Sequence, residues 1–153
     1  MGYKSIDIVR SAGALGAEIQ GVDLSRDLDN ETFDDIHQAF LDHQVIFFRD
    51  QNLTPDQHKA FGRRFGPLNI HPYVKGMEEH PEIMEIIKEP SDKVNFGGGW
   101  HSDMSFLPTP SIGSILYAVE VPPSGGDTLF ASQISAYEAL SPGLKATLEG
   151  AAS

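Results

Sequence analysis

The sequence predicts an α+β fold. Three observations carry this reading: helical spacing of apolar residues gathers early in the chain, short apolar runs of strand length dominate its middle and later parts, and glycine and proline clusters separate one run from the next. With 153 residues the chain suits one domain able to bury a substantial core, and no repeat, low-complexity tract or linker divides it.

The elements follow in order. Ile6 and Ile8 alternate with Asp7 and Val9, and Ala17 to Gln20 forms a second short extended piece before the turn-prone Gly21; both read as strands. From Asn30, the spacing of Phe33, Ile36 and Phe40 is helical. Asp29 or Asn30 is available as N-cap, and Glu31, Asp34 and Asp35 stand where a helix dipole favours acid, so a helix is expected to about His43. Val45 to Phe48 has the length and apolar content of a buried strand. Thr54, Pro55 and Gln57 spell a capping box with proline at the first helical position, and Gly66-Pro67 stops the helix that follows. Glu82 to Lys88, Ile112 to Val119 and Thr128 to Ala131 are expected strands, the second of them the clearest. Ile134 to Leu140 and Leu144 to Glu149, the latter after Ser141-Pro142, are expected short helices.

Composition narrows the function classes. Eleven Lys and Arg against 22 Asp and Glu give a net charge of −11, a field that repels phosphate backbones and anionic lipid, so neither nucleic acid nor membrane is an expected partner. Cysteine is absent, which removes disulfides, thiolate nucleophiles and cysteine-ligated metals; any metal must sit on histidine and carboxylate. No apolar run has the length of a membrane span and the N-terminus lacks a signal-peptide pattern, so a cytoplasmic location is expected. Lys145 is the sole basic residue after position 100.

His101-Ser102-Asp103 is the candidate metal site. In an extended segment residues i and i+2 point to one side, so an imidazole and a carboxylate can converge on one ion, and two-histidine, one-carboxylate sets are the usual platform for non-haem Fe(II). Spacing alone does not single it out: six histidines among these residues give about 0.5 chance occurrences of His-x-Asp, and a surface pair beside a turn reads the same. Context separates the candidates. Asp35-Ile36-His37 and Asp56-Gln57-His58 fall in expected helices, where i and i+2 diverge, and His80-Pro81-Glu82 reads as a solvated loop. Only His101 and Asp103 are flanked by a glycine run, an aromatic residue, Trp100, expected to pack, and a following strand.

Six blocks in order, GAEIQGVDL, HQVIFFRDQ, FGPLNIHP, WHSD, GGDTLF and AYEALS, resemble the N-terminal half of the taurine dioxygenase (TauD/TfdA-like) family of Fe(II)- and 2-oxoglutarate-dependent dioxygenases. The resemblance runs from about Gly16 to Leu148. It implies a double-stranded β-helix, or jelly roll, present here only as the N-terminal part of a single domain over residues 1–153. It implies His101 and Asp103 as two iron ligands, Thr128 as a hydrogen-bond donor to 2-oxoglutarate, and His71 as a residue facing the primary substrate. The implied reaction hydroxylates an unactivated C–H bond with dioxygen and 2-oxoglutarate, releasing succinate and carbon dioxide.

The chain departs from taurine dioxygenase proper at Gly97, where an asparagine contacts taurine, and in His71-Pro72-Tyr73-Val74, where tyrosine comes one residue early. Sulfonates, alkyl sulfates and aryloxy or other carboxylates are therefore the expected small-molecule substrates. The family's third ligand and the arginine for the dianion's far carboxylate come downstream, yet no histidine follows Asp103. A truncated, poorly active form is thus expected. Two other classes compete: a non-catalytic binding or assembly module whose open strand edges pair copies into a homo-oligomer, and a metal-dependent hydrolase using the same two residues.

Overall fold

A computed structural model describes residues 2–94 and 96–151. The chain forms two compact units, the first comprising residues 1–22, 28–50 and 121–153 and the second residues 23–27 and 51–120. Among the described residues there are three strands and four helices.

In the first unit, β1 (Asp7–Arg10) pairs antiparallel with β2 (Ala17–Gln20), and β2 pairs parallel with β3 (Ile46–Phe48), giving the order β1-β2-β3. The parallel pairing needs a crossover, which α1 (Asn30–His43) supplies. Residues i and i+2 of β2, Ala17 and Ile19, are both buried, and so are Phe33, Ile36 and Ala39 along one stripe of α1, which packs on β2 and β3. Asp29 is the N-cap, its Oδ1 accepting from the Thr32 amide at 2.7 Å. Asp35 does more than complement the dipole: its Oδ2 accepts from the amides of Lys4 and Ser5, each at 2.7 Å, tying down the segment that carries buried Ile6. The Tyr3 hydroxyl donates to Asp42 at 2.8 Å, and burial together with that carboxylate pushes the phenol up to about 12. Later in this unit come α3 (Gln133–Glu138), capped by Ser132, and α4 (Pro142–Glu149), capped by Ser141.

The second unit is organised by α2 (Pro55–Phe65). The expected capping box is present: Gln57 N donates to Thr54 Oγ1 at 3.3 Å, and Gln57 Oε1 accepts from Thr54 N at 2.8 Å. Phe61 is buried, meeting Phe65 edge to face at 5.3 Å between centroids. The segment from Ile112 lies against this helix. His58 Nε2 is 3.2 Å from the Ile115 carbonyl, and the Tyr117 hydroxyl donates to Gln51 O at 3.3 Å while accepting from Leu53 N at 3.2 Å. Gly62 leaves room for this packing, because a Cβ there would meet Leu68 at 3.0 Å and Ile115 at 3.6 Å.

The first five expected elements form close to their expected bounds, and the two late helices form as well. The three later strands do not: 82–88, 112–119 and 128–131 carry no ladder among the described residues. A strand is stabilised by the chain beside it, and these stretches have apolar residues but no paired neighbour, so Ile87, Leu116, Val119 and Leu129 stand exposed. Trp100, expected as a packing anchor, is also exposed.

Half-buried His58 makes the packing of Ile112 to Tyr117 pH-dependent. Burial holds its imidazole below the ordinary value of 6.5, outweighing the Ile115 carbonyl, which acts the other way. The fold therefore favours the neutral ring, and the unfolded chain takes up the extra proton first. Stability is full above pH 6.5 and declines as the pH falls below it. Urea unfolding between pH 5 and 8 is expected to show this decline, flattened in His58→Gln, which keeps a donor for Ile115 but does not titrate; identical profiles for the two proteins would remove the assignment.

Candidate functional site

His101 and Asp103 lie in the second unit, on a bend rather than on a pleated strand. Immediately after them Met104 adopts φ +52, in the left-handed region, and its carbonyl accepts from Leu107 N at 3.1 Å to close a turn. Ser102 points elsewhere, its hydroxyl 2.7 Å from that of Ser105. The convergence expected of positions i and i+2 is nevertheless present, with His101 Nε2 3.2 Å from Asp103 Oδ1.

The tautomer of the neutral ring follows from its partners. His101 Nδ1 lies 2.8 Å from the carbonyl oxygen of Gly99, which can only accept, so Nδ1 carries the hydrogen and Nε2 of the neutral ring presents a lone pair. That lone pair faces a carboxylate oxygen. Two acceptors 3.2 Å apart repel unless a positive charge lies between them, a proton or a metal ion. Adjacent ligands on one ion, each about 2.1 Å from it, stand about 3 Å apart, so this donor pair fits a divalent cation. Both side chains are more than half exposed, which leaves the site open to solvent and small molecules. Among the described residues no third histidine or carboxylate joins them.

Two further residues bear on this pair, and the spacing did not reveal them. Ser114 Oγ donates to the other carboxylate oxygen, Asp103 Oδ2, at 3.1 Å. Gly97 has φ +68 and sits so close beneath the ring that a Cβ would meet His101 Cε1 at 3.3 Å. Its lack of a side chain is thus a condition of the imidazole's present position.

His71 lies in the same unit. Its Nδ1 accepts from the amides of Tyr73 and Val74, at 3.1 and 3.0 Å, which fixes the ring's hydrogen on Nε2 and offers that atom as a donor. Thr128 belongs to the first unit and is exposed, just past Gly125 and Gly126, whose φ values of +78 and +73 make the preceding turn.

The other candidates resolve differently. His80-Pro81-Glu82 is not solvated, because His80 Nδ1 stands 2.8 Å from Lys59 Nζ on α2 and both side chains are largely buried. An ammonium has only hydrogens to offer, so it donates to Nδ1, and Arg63 with Glu82 at 3.6 Å extends the network along the helix. Lys145 is engaged with Glu138 at 2.8 Å and lies over the Tyr137 ring. Arg49 is paired with Glu18 at 3.1 Å; the Gln20 amide and this guanidinium hold the Glu18 carboxyl below its usual range. Among the described residues no helix is long and apolar enough to cross a membrane.

Gly97→Ala is expected to move the His101 ring, since the new methyl meets Cε1 and the left-handed backbone costs about 1 kcal/mol for a residue with a Cβ. In two-dimensional NMR the His101 Cε1–H resonance shifts while that of His71 stays put; an unmoved His101 signal would contradict the close approach.

Comparison with known proteins gives a consistent set. Residues 7–153 match the family described as Taurine catabolism dioxygenase TauD, TfdA family. The (S)-phenoxypropionate/alpha-ketoglutarate-dioxygenase of Sphingobium herbicidovorans is 35% identical over 155 aligned residues, covering 95% of this chain and 51% of that protein. An alpha-ketoglutarate-dependent sulfate ester dioxygenase of Pseudomonas putida is 37% identical, covering 88% of this chain and 44% of its own length. The crystal structure of a taurine dioxygenase from Burkholderia xenovorans superposes with a TM-score of 0.81 at 39% identity, covering 96% of this chain and 52% of that one. The chain spans about half the length of the curated relatives it matches. Over the part it spans, the jelly-roll fold expected from the sequence is borne out.

Proposed function

Because the chain belongs to the taurine catabolism dioxygenase TauD, TfdA family, we propose that the protein is an Fe(II)- and 2-oxoglutarate-dependent dioxygenase that hydroxylates an unactivated C–H bond of a small organic acid. The observation that carries this is the His101 Nε2 to Asp103 Oδ1 separation of 3.2 Å, with the imidazole hydrogen held away on Gly99. Sulfonates, sulfate esters and aryloxy carboxylates are the proposed substrate classes, supported by the names of the relatives. Substrate and cosubstrate are small molecules met in the cytoplasm, without nucleic acid or membrane as partner.

Non-haem Fe(II) with 2-oxoglutarate and dioxygen supplies the oxidising power when bound. The protein's own residues have the remaining tasks. His101 presents Nε2 because Gly99 occupies its Nδ1, and Asp103 presents Oδ1. The Thr128 hydroxyl donates to a carboxylate of the cosubstrate. His71 donates from Nε2, the nitrogen its backbone bonds leave protonated, to the anionic group of the substrate. The run Gly97-Gly98-Gly99 contributes no side chains, and so admits bulkier acids beside His101. The third ligand and the cation for the far carboxylate come, on this reading, from polypeptide outside these residues; the half-length coverage of the relatives supports it.

The test uses the intact gene product. Anaerobic addition of Fe(II) and 2-oxoglutarate is expected to produce a visible charge-transfer band, and aerobic assay with a sulfonate, a sulfate ester and a phenoxy acid to release succinate. His101→Ala and Asp103→Ala are each expected to lower succinate release at least about 100-fold. Release undiminished in both variants would overturn the assignment, and taurine as the best substrate would overturn the substrate classes.

A further inference from the structure

The two carboxylate oxygens of Asp103 have different surroundings. Oδ1 faces His101 Nε2 at 3.2 Å, whereas Oδ2 accepts from Ser114 Oγ at 3.1 Å. Ser114 is carried on a segment fixed at the positions just beyond it. The Ile115 carbonyl is bonded to His58 and its side chain reaches Gly62, while Tyr117 bridges Gln51 and Leu53. The serine hydroxyl is therefore presented from a stretch packed on α2, whereas Asp103 sits on an exposed bend beside a left-handed residue.

We infer that Ser114 is a positioning residue for the metal ligand, holding Asp103 Oδ2 so that Oδ1 stays turned toward His101 Nε2. This rests on the reading of His101 and Asp103 as ligands. A carboxylate with no partner rotates about its terminal torsion and offers either oxygen, or both, to an ion. A donor on one oxygen selects one-oxygen binding through the other and fixes the plane in which it binds. Groups that orient metal ligands in this way are typically worth about 10- to 100-fold in metal affinity.

The experiment titrates the intact gene product with Co(II) alone, followed by visible absorption, for the wild type, Ser114→Ala, Ser114→Thr and His101→Ala. Ser114→Ala is expected to weaken Co(II) binding about tenfold while leaving the metal-free thermal unfolding midpoint unchanged. Ser114→Thr, which keeps the hydroxyl, is expected to restore affinity to within about twofold. Wild-type affinity in Ser114→Ala, or weakening that Ser114→Thr does not rescue and that accompanies a lowered metal-free midpoint, would overturn the inference and leave the ligand reading standing. Co(II) affinity indifferent to His101→Ala would overturn both.

Discussion

Every backbone amide and carbonyl taken out of water needs a partner, and the supply of partners decides where this protein is regular. In the first unit β2 has a neighbour on each side, and α1 spans the distance that a parallel β2-β3 pairing demands. In the second unit α2 satisfies its own groups and closes its N-terminus with Thr54 and Gln57. In the irregular stretches the partners come one at a time, from a turn carbonyl as at Leu107, a histidine nitrogen or a tyrosine hydroxyl. Apolar side chains follow the same division, buried at Ile19 and Ile36 where a sheet and a helix face each other, and exposed at Leu116 and Val119, which among the described residues have no strand alongside.

The candidate site inherits this second mode of construction. A pleated strand would aim His101 and Asp103 by its own alternation, but here a bend does so, held by the Gly99 carbonyl on one side and the Ser114 hydroxyl on the other. Each such bond contributes only about 0.5–1.5 kcal/mol net, somewhat more where a carboxylate accepts. Orientation at this site is therefore an energetic matter of a few contacts, and the most firmly anchored of them leads through Ile115 to His58 and Gly62 on α2.

The sequence made legible what local chemistry determines. Caps, helical spacing and proline at the first turn defined α1 and α2 almost to the residue, and His-x-Asp beside a glycine run marked the pair that the structure brings to 3.2 Å. What it left hidden depends on distant neighbours. β-branched residues at 112–119 have strand composition whether or not another strand lies beside them, so composition could not foresee the missing ladder. His80 looked solvated because its stretch is rich in glutamate and interrupted by proline; nothing local announced Lys59, twenty-one residues earlier, as its partner. Ser114 was invisible for the same reason, since a serine eleven residues from Asp103 has no periodic relation to it.

Charge gives the pair its chemical sense. In a chain of net charge −11, an anionic cosubstrate needs a local positive centre. Several of the chain's cations are already engaged with carboxylates: Arg49 with Glu18, Arg63 with Glu82, Lys145 with Glu138. At His101 and Asp103, by contrast, two acceptors are held face to face by groups that occupy their far sides, an arrangement that is repulsive with a neutral ring and favourable once a proton or a metal ion lies between them. A divalent ion held by one neutral imidazole and one carboxylate retains a net charge of about +1, so it would be both the partner that relieves this repulsion and the largest positive charge available to a second anion. The far-side contacts at Gly99 and Ser114 thus do the same work from opposite ends, each keeping one acceptor turned toward a charge that neither residue could attract alone.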